Sequence, residues 1–242
     1  MKNNSLIRFY GVRGCYPDEQ QMVSFSISTE TSSLLFDCGS TNIFNYKDVI
    51  SDLSHIFVTH HHHDHIALLP NIMLAKLLSH DSRKLQIISP ESIQLLAQSM
   101  EIDETEYFHS TSPHTIAGDF IVSNTLTTHL RSNYCYKLVR DGITITYTGD
   151  TAYDSKLSQF CKDSDVMILE GSYDENSIIE AQKYGHLTPK TAASLINEAR
   201  PRQAILTHFV RLAGDDFVKE VKKHLTSSTT IIAAFDGLEI LI

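Results

Sequence analysis

The chain has few of the residues that mark disordered, disulfide-stabilised or strongly basic proteins. Glycine and proline number 10 and 6 among 242 residues, and no low-complexity linker divides the sequence. The four cysteines form no CxxC pair, which argues against a disulfide scaffold and favours reduced thiols. Basic residues number 20 against 29 acidic ones, and the net charge of −9 opposes nonspecific binding to nucleic acid or acidic membranes.

Long apolar runs are also missing. None reaches the ~18 residues of a membrane helix, and residues 1–14 have no apolar h-region of a signal peptide. We therefore expect a cytoplasmic protein with no membrane partner. Hydrophobic residues make up 42% of the chain, which excludes a disordered chain. The length allows one large domain or two small ones, and we expect a single domain over residues 1–242.

Short apolar runs alternate with helical patterns along the chain, which favours an α/β (α+β) fold of two sheets covered by outer helices. Residues 23–27 alternate with period two, as half-buried strands do, and Asp141-Gly142 is typical of a hairpin turn. Thr188 and Pro189 suit the N-cap and first position of a helix. The predicted strands are residues 6–10, 23–28, 33–37, 55–59, 85–89, 120–127, 134–139, 143–148, 166–170, 204–207, 231–234 and 238–242. The predicted helices are residues 66–79, 92–99, 155–162, 189–199 and 216–224.

Histidine is the residue that the sequence has in excess, with 13 copies, five of them between positions 60 and 65. These five follow a strand-like run and precede an amphipathic helix, where a turn can direct several side chains to one point. Imidazole and carboxylate are ligands that zinc, manganese and iron accept. A solvated polar loop is the alternative, but four consecutive histidines are hard to explain by packing. Three strand-like runs end in Thr-His, at Thr59-His60, Thr128-His129 and Thr207-His208.

The segment His60-x-His62-x-Asp64-His65 resembles the HxHxDH signature of the metallo-β-lactamase fold family. Other segments that look like family elements follow in the family's order, and the resemblance spans nearly the whole chain. They are residues 9–14, residues 35–39, His129 after a strand, Asp150 in Thr148-Gly149-Asp150-Thr151, and His208 at a strand end.

This resemblance implies a four-layer αββα metallo-β-lactamase sandwich with a two-metal site between its sheets. The first metal would be bound by His60, His62 and His129, the second by Asp64, His65 and His208, and Asp150 would bridge them. Zinc is the expected metal, and manganese and iron are alternatives, since affinity order alone does not decide. His61 and His63 are not expected to be ligands, because a register through them would leave no Asp-His pair.

The segment Tyr184-Gly185-His186-Leu187-Thr188-Pro189 resembles the histidine motif of ribonuclease Z and its phosphodiesterase relatives, which include a cyclic-phosphate phosphodiesterase of the carbon–phosphorus lyase pathway. In them this histidine assists the phosphoryl oxygen or the leaving group. Glu170 lies where such enzymes often have a carboxylate that orients the histidine. The resemblance therefore implies Asp64, His186 and Glu170 as catalytic residues. The alternatives are that His186 merely precedes a capped helix and that Glu170 is a solvated strand-end residue.

We therefore expect a dinuclear metal-dependent phosphodiesterase that hydrolyses a small cyclic or linear, nucleotide-like phosphodiester. A hydroxide bridging two metals is a nucleophile at neutral pH because metal binding lowers the pKa of water toward ~7. An imidazole with a pKa near ~6.5 can protonate the leaving oxygen. The alternative is an acyl hydrolase that cleaves thioesters or lactones at the same metals, and a noncatalytic binding protein is a further rival.

Two features separate this chain from ribonuclease Z. No basic glycine-rich arm for gripping tRNA is visible, and the chain is acidic, so short nucleic acid strands are expected only as a second class of partner. Relatives often form dimers, which implies a homodimer here. The sequence leaves open whether Arg13 lies near the cleft or braces its loop. It also leaves open whether Cys15 is a reactive thiol or a packed small residue, and whether Tyr134 lines the pocket or serves aromatic packing.

Overall fold

A computed structural model describes residues 5–79, 84–103 and 107–242 of the chain. The backbone divides into two compact units. The first unit comprises residues 1–119 and 236–242, and the second comprises residues 120–235. The expectation of a single domain stays a prediction.

The first unit contains a seven-stranded mixed sheet. Numbered in chain order, its strands are β1 (Leu6–Gly11), β2 (Ser24–Ser28), β3 (Ser33–Phe36), β4 (Leu53–Phe57), β5 (Leu85–Ile88), β6 (Tyr107–Ser110) and β14 (Glu239–Leu241). The unit also contains strand β7 (His114–Ala117), which is not part of this sheet. The strand order is β14-β1-β2-β3-β4-β5-β6. The neighbours from β14 to β3 are antiparallel, and those from β3 to β6 are parallel. The helices are α1 (Lys47–Asp52), α2 (His63–Ile66), α3 (Leu69–Leu78) and α4 (Gln94–Ser99).

A row of phenylalanines crosses four neighbouring strands of this sheet. Phe9, Phe25, Phe36 and Phe57 stand opposite one another in register and are all fully buried. The centroids of successive rings in this row are 5.2, 5.0 and 5.0 Å apart, as expected for cross-strand aromatic pairs. Tyr10 of β1, Leu35 of β3 and Ile56 of β4 contribute to a core with residues of α1, α3 and α4. Burial of both faces fixes the register of β4, the strand that leads into the histidine run.

The second unit is built around strands β8 (Phe120–Leu126), β9 (Tyr134–Arg140), β10 (Ile143–Tyr147), β11 (Val166–Glu170), β12 (Gln203–Thr207) and β13 (Thr230–Ala233). Within the unit these strands lie in the order β13-β12-β11-β10-β9-β8. The neighbours from β8 to β10 are antiparallel, and those from β10 to β13 are parallel. Its helices are α5 (Ser155–Phe160), α6 (Ile178–Tyr184), α7 (Pro189–Ala199) and α8 (Gly214–Lys222), and α7 packs against both α5 and α8.

Each predicted strand is present, with ends shifted by at most two residues. The predicted helix over residues 66–79 is wrong in one respect, because it is interrupted at Leu68, whose φ of −105° and ψ of 3° are not helical. Strands β6 and β7 and helices α1, α2 and α6 were not predicted. Helix α6 buries only Ala181, so it has no apolar stripe that a periodicity could reveal.

Across the described ranges, no helix combines the length and the apolar character that crossing a membrane would require.

Candidate metal centre

In the first unit, the turn after β4 brings four predicted ligands together. His60 is fully buried, and its Nε2 lies 2.7 Å from Nδ1 of His62. The two rings meet edge to face with centroids 4.5 Å apart. Asp64 and His65 follow on α2, where Oδ2 of Asp64 lies 3.6 Å from Nε2 of His65. The two nitrogens lie within hydrogen-bonding distance, and both rings are candidate ligands of one ion.

Asp37 holds this turn through hydrogen bonds, and its role was not predicted from the sequence. Its carboxylate is fully buried and accepts the N–H of Thr59 at 2.8 Å, while its other oxygen lies 2.8 Å from Nδ1 of His65. The hydroxyl of Thr59 also donates to this carboxylate. Asp37 has a positive φ of 53°, a conformation that aspartate tolerates better than most residues. A buried acid that binds Nδ1 directs Nε2 toward a metal.

Cys15 contributes to this half of the site through its backbone. Its N–H donates to Oδ2 of Asp64 at 2.6 Å, and its φ of 63° lies in the left-handed region. Arg13 pairs with Asp18 at 2.9 Å. The contact of Arg13 is the loop-bracing role, one of the two alternatives that the sequence left open for it. Cys15 is exposed, so the interpretation of this residue as a packed small side chain is wrong.

In the second unit, predicted site residues follow the ends of neighbouring strands. Asp150 comes after β10, Glu170 ends β11 and His208 comes after β12. Because these strands are parallel, their carboxyl ends lie at one edge of the sheet. There Oδ1 of Asp150 lies 3.4 Å from Nε2 of His208. Nδ1 of His208 lies 2.9 Å from the hydroxyl of Ser172, a further residue that the sequence analysis did not identify.

Glu170 connects three parts of this edge. Its Oε1 lies 2.9 Å from Nδ1 of His186 and accepts the N–H of Thr151 at 3.0 Å. Its Oε2 accepts the N–H of Ser172 at 3.1 Å. Only 1% of Glu170 is exposed, so it is not the solvated strand-end residue of the alternative interpretation. The carboxylate of Glu170 thus holds His186, Thr151 and Ser172. Thr151 follows Asp150, and Ser172 binds His208.

His186 lies among the predicted ligands of its unit. Its ring centroid is 5.0 Å from that of His129 and 6.0 Å from that of His208. Asp150, His186 and His208 each offer a ligand atom within 4.8 Å of the others, the spacing of a group that could hold a metal ion. Tyr173 stacks on the ring of His186 with centroids 5.4 Å apart.

The residue before His186 is a glycine because the backbone there passes close to His129. Its φ is +77°, and a Cβ there would lie 2.6 Å from Cα of His129. Without that atom, the Gly185 carbonyl accepts a hydrogen bond from Nδ1 of His129 at 3.0 Å. Burial lowers the pKa of His129, which favours the neutral ring that binds metals.

The donor chemistry of each unit fits a divalent metal. For His65, His129 and His208, Nδ1 is within hydrogen-bonding distance of a carboxylate, a carbonyl or a hydroxyl. Such partners fix the ring orientation and leave Nε2 as the coordinating atom. His60 follows the same pattern, with Nδ1 3.1 Å from the hydroxyl of Thr59. Imidazoles with carboxylates are the donor set of zinc and related ions.

The remaining sequence candidates lie elsewhere. His61 is directed to Ser89, with Nε2 2.7 Å from its Oγ, and the side chain of His63 is 69% exposed. Tyr134 packs edge to face on Tyr136 with centroids 5.9 Å apart, as the packing alternative anticipated.

Known proteins resemble this chain over its full length. It is 26% identical to the "probable metallo-hydrolase YhfI" of Bacillus subtilis, over 92% of this chain and 95% of that protein. It is 23% identical to ribonuclease Z of Thermoplasma acidophilum, over 86% of this chain and 87% of the relative. The crystal structure of the metallo-β-lactamase fold protein YhfI from Bacillus subtilis matches with a TM-score of 0.87 at 23% identity, covering 100% of both chains. A diphosphatase from the PhnP family matches with a TM-score of 0.74 at 13% identity, over 98% of this chain and 97% of that one.

These likenesses bear on three predictions. They confirm the predicted fold class, the metallo-β-lactamase sandwich, and the predicted enzyme class, a hydrolase. With the His/Asp clusters they support divalent metal ions as cofactors. The family model for the beta-lactamase superfamily domain matches residues 33–209, more than half of the chain. The chain therefore belongs to the β-lactamase superfamily.

Proposed function

We propose that this chain is a dinuclear metal-dependent phosphodiesterase that hydrolyses a small cyclic or linear, nucleotide-like phosphodiester. The relatives named as ribonuclease Z and as a PhnP-family diphosphatase support cleavage of phosphate bonds. The observation that carries the proposal is the pairing of His186 with Glu170 at 2.9 Å, beside the rings of His129 and His208. An acyl hydrolase that uses only metals would not need this pair.

His186 is suited to donate the proton that a leaving alkoxide requires. Glu170 accepts the hydrogen of Nδ1, so Nε2 is the nitrogen that transfers a proton to the leaving oxygen. Oδ2 of Asp150 lies 3.9 Å from the same Nδ1, so His186 lies beside a proposed metal ligand. The stacked ring of Tyr173 and the Glu170 contact fix the plane of His186.

Seven residues would hold the metals in this proposal. His60, His62 and His129 would bind one ion, Asp64, His65 and His208 would bind the other, and Asp150 would be a ligand of both. Contacts within each unit support this ligand assignment. In the first unit His60 lies against His62 and Asp64 lies near His65, and in the second unit Asp150 lies near His208. Zinc is the first choice, with manganese or iron as alternatives. When bound, such ions supply Lewis acidity and lower the pKa of water. In this assignment Asp64 contributes to the reaction as a ligand.

The substrate is proposed to be small. The net charge of −9 disfavours a long polyanion. Short nucleic acid strands are the second class of partner. We further propose a homodimer and a cytoplasmic location, both carried over from the sequence analysis.

The test compares three substrates on one protein. Metal-free protein is supplied with zinc or manganese and assayed on bis(p-nitrophenyl) phosphate, a p-nitrophenyl ester and a thioester. Wild type, His186→Ala and Asp150→Ala are run together with His224→Ala, which removes an exposed histidine of the second unit as a matched control. We expect metal-dependent phosphodiester cleavage in wild type and in His224→Ala, with losses of about 100-fold or more in the other two variants.

Two results would contradict the proposal. Ester or thioester cleavage that survives His186→Ala would indicate an acyl hydrolase at the same metals. Absence of turnover on all three substrates, in a protein that binds two metal ions per chain, would indicate a binding role in place of catalysis.

A further inference from the structure

His61 is one of two residues in the four-histidine run, with exposed His63, whose presence the proposed function does not explain. Its neighbours His60 and His62 face each other, with nitrogens 2.7 Å apart. The ring of His61 instead lies against the next strand of the sheet, with Nε2 2.7 Å from Oγ of Ser89. A hydrogen bond of this length between a turn and a strand constrains the backbone of the turn.

Ser89 is a rigid attachment point. It directly follows β5, is fully buried and donates its N–H to the carbonyl of Ser110 at 3.1 Å. On the other side of the ring, Nδ1 of His61 lies 3.7 Å from Oε2 of Glu91. The negative charge of Glu91 favours a hydrogen on Nδ1, so Nε2 accepts the hydroxyl hydrogen of Ser89. We call these three residues the Ser89–His61–Glu91 line.

The turn needs such a support because the helix after it is short. Helix α2 has four residues, and its N-cap, His62, makes no side-chain capping bond. On the strand side, Asp37 holds the N–H of Thr59 at 2.8 Å. His60 is the one residue between this anchor and His61. The turn is therefore held on both sides of His60.

We infer that the Ser89–His61–Glu91 line is a positioning device, in which His61 fixes the turn so that His60 and His62 keep their facing arrangement for a metal. His61 is thus a positioning residue and not a ligand. The inference rests on the proposed metal centre. It also gives His61 a role distinct from that of His60 and His62, which would hold the ion, whereas His63 is exposed.

The test measures zinc affinity, which requires no substrate. Metal-free protein competes for zinc with a chromogenic chelator of known affinity, and urea unfolding of each metal-free variant confirms that it folds. The variants are His61→Ala, Ser89→Ala, the double variant and His61→Gln, whose amide oxygen can accept the Ser89 hydroxyl hydrogen as Nε2 does. His63→Ala is the matched control, since His63 belongs to the same run and its side chain is 69% exposed.

The expected pattern is specific to one shared bond. His61→Ala and Ser89→Ala each weaken zinc binding about 10-fold, and the double variant loses about the same, not about 100-fold. His61→Gln restores binding to within about 2-fold of wild type, and His63→Ala stays within the same range.

Three outcomes would overturn the inference. The first is wild-type affinity in His61→Ala. The second is additive losses in the double variant, because the two side chains would then act separately. The third is a loss in His61→Gln equal to that in His61→Ala, which would point to the imidazole itself as a ligand. A wild-type protein that binds no zinc, manganese or iron would refute the proposed function and the inference with it, whereas the three outcomes above leave the proposed function intact.

Discussion

His55 should make the stability of the protein depend on pH. It lies on β4, is 9% exposed and stacks on Phe57 with ring centroids 6.0 Å apart. Burial lowers its pKa from the usual 6.5 to about 4, because the charged ring would lose its hydration. Between these two values the unfolded chain binds a proton that the folded chain does not. Stability therefore rises with pH across this window and is lost as the pH falls through it.

The magnitude follows from the two pKa values. At about pH 5 the histidine of the unfolded chain is almost fully protonated, while His55 of the folded chain is neutral. The free energy of unfolding should then be about 2 kcal/mol lower than at about pH 7, and the full penalty below pH 4 is about 3 kcal/mol. His55→Gln removes this titration. Between about pH 7 and about pH 5, its free energy of unfolding should therefore fall by about 2 kcal/mol less than that of wild type.

The measurement is urea unfolding of metal-free wild type, His55→Gln and His224→Gln at both pH values, with a chelator present. Other histidines titrate as well, so the quantity of interest is the difference between wild type and His55→Gln in their change with pH. His224→Gln, which alters an exposed histidine, should behave like wild type. Equal losses of stability in wild type and His55→Gln would refute the reasoning.

Three further predictions concern the site. Glu170→Gln should lower kcat on a phosphodiester about 100-fold with little change in KM, because the amide no longer stabilises the protonated His186; an unchanged kcat would refute the role of this pair. Asp37→Asn should weaken zinc binding about 10- to 100-fold in a chelator competition, and unaltered binding would show that His65 needs no carboxylate. Gly185→Ala should lower the free energy of unfolding by about 2–3 kcal/mol in urea, since its Cβ would meet His129, whereas Gly142→Ala, with nothing near its Cβ, should cost about 1 kcal/mol; equal effects would contradict the close approach.

The sequence identified the candidate site residues, whose roles stay predictions, but not the residues that form hydrogen bonds with them. His60, Asp150 and His208 could be identified because each follows a readable strand and belongs to a motif. Asp37 and Ser172 could not, since their roles depend on which strands are neighbours. Ser89 is a similar case, because its bond to His61 follows from the pairing of β4 with β5.

Helix α3 shows the limit of periodicity. The apolar stripe predicted for residues 66–79 consists of Ile66, Leu69, Met73, Leu74 and Leu77. Leu74 and Leu77 are nevertheless 40% and 42% exposed. Buried Lys76 lies on the inner face instead, with its Nζ donating to the Ser51 carbonyl at 2.6 Å. A lysine whose charge is satisfied by a neighbouring helix cannot be recognised from hydrophobicity alone.

The pairing of β14 with β1 has a consequence for synthesis on the ribosome. Leu6 pairs with Leu241, so the sheet of the first unit receives its outermost strand only after the rest of the described chain has been made. The second unit is one continuous segment, residues 120–235, so its strands are made without interruption by the first unit. The turn with His60 and His62 therefore leaves the ribosome early, on a sheet that still lacks one edge. Closing a loop of this length is slow compared with local pairing, so the edge of β1 stays unpaired until β14 has been made and has reached it.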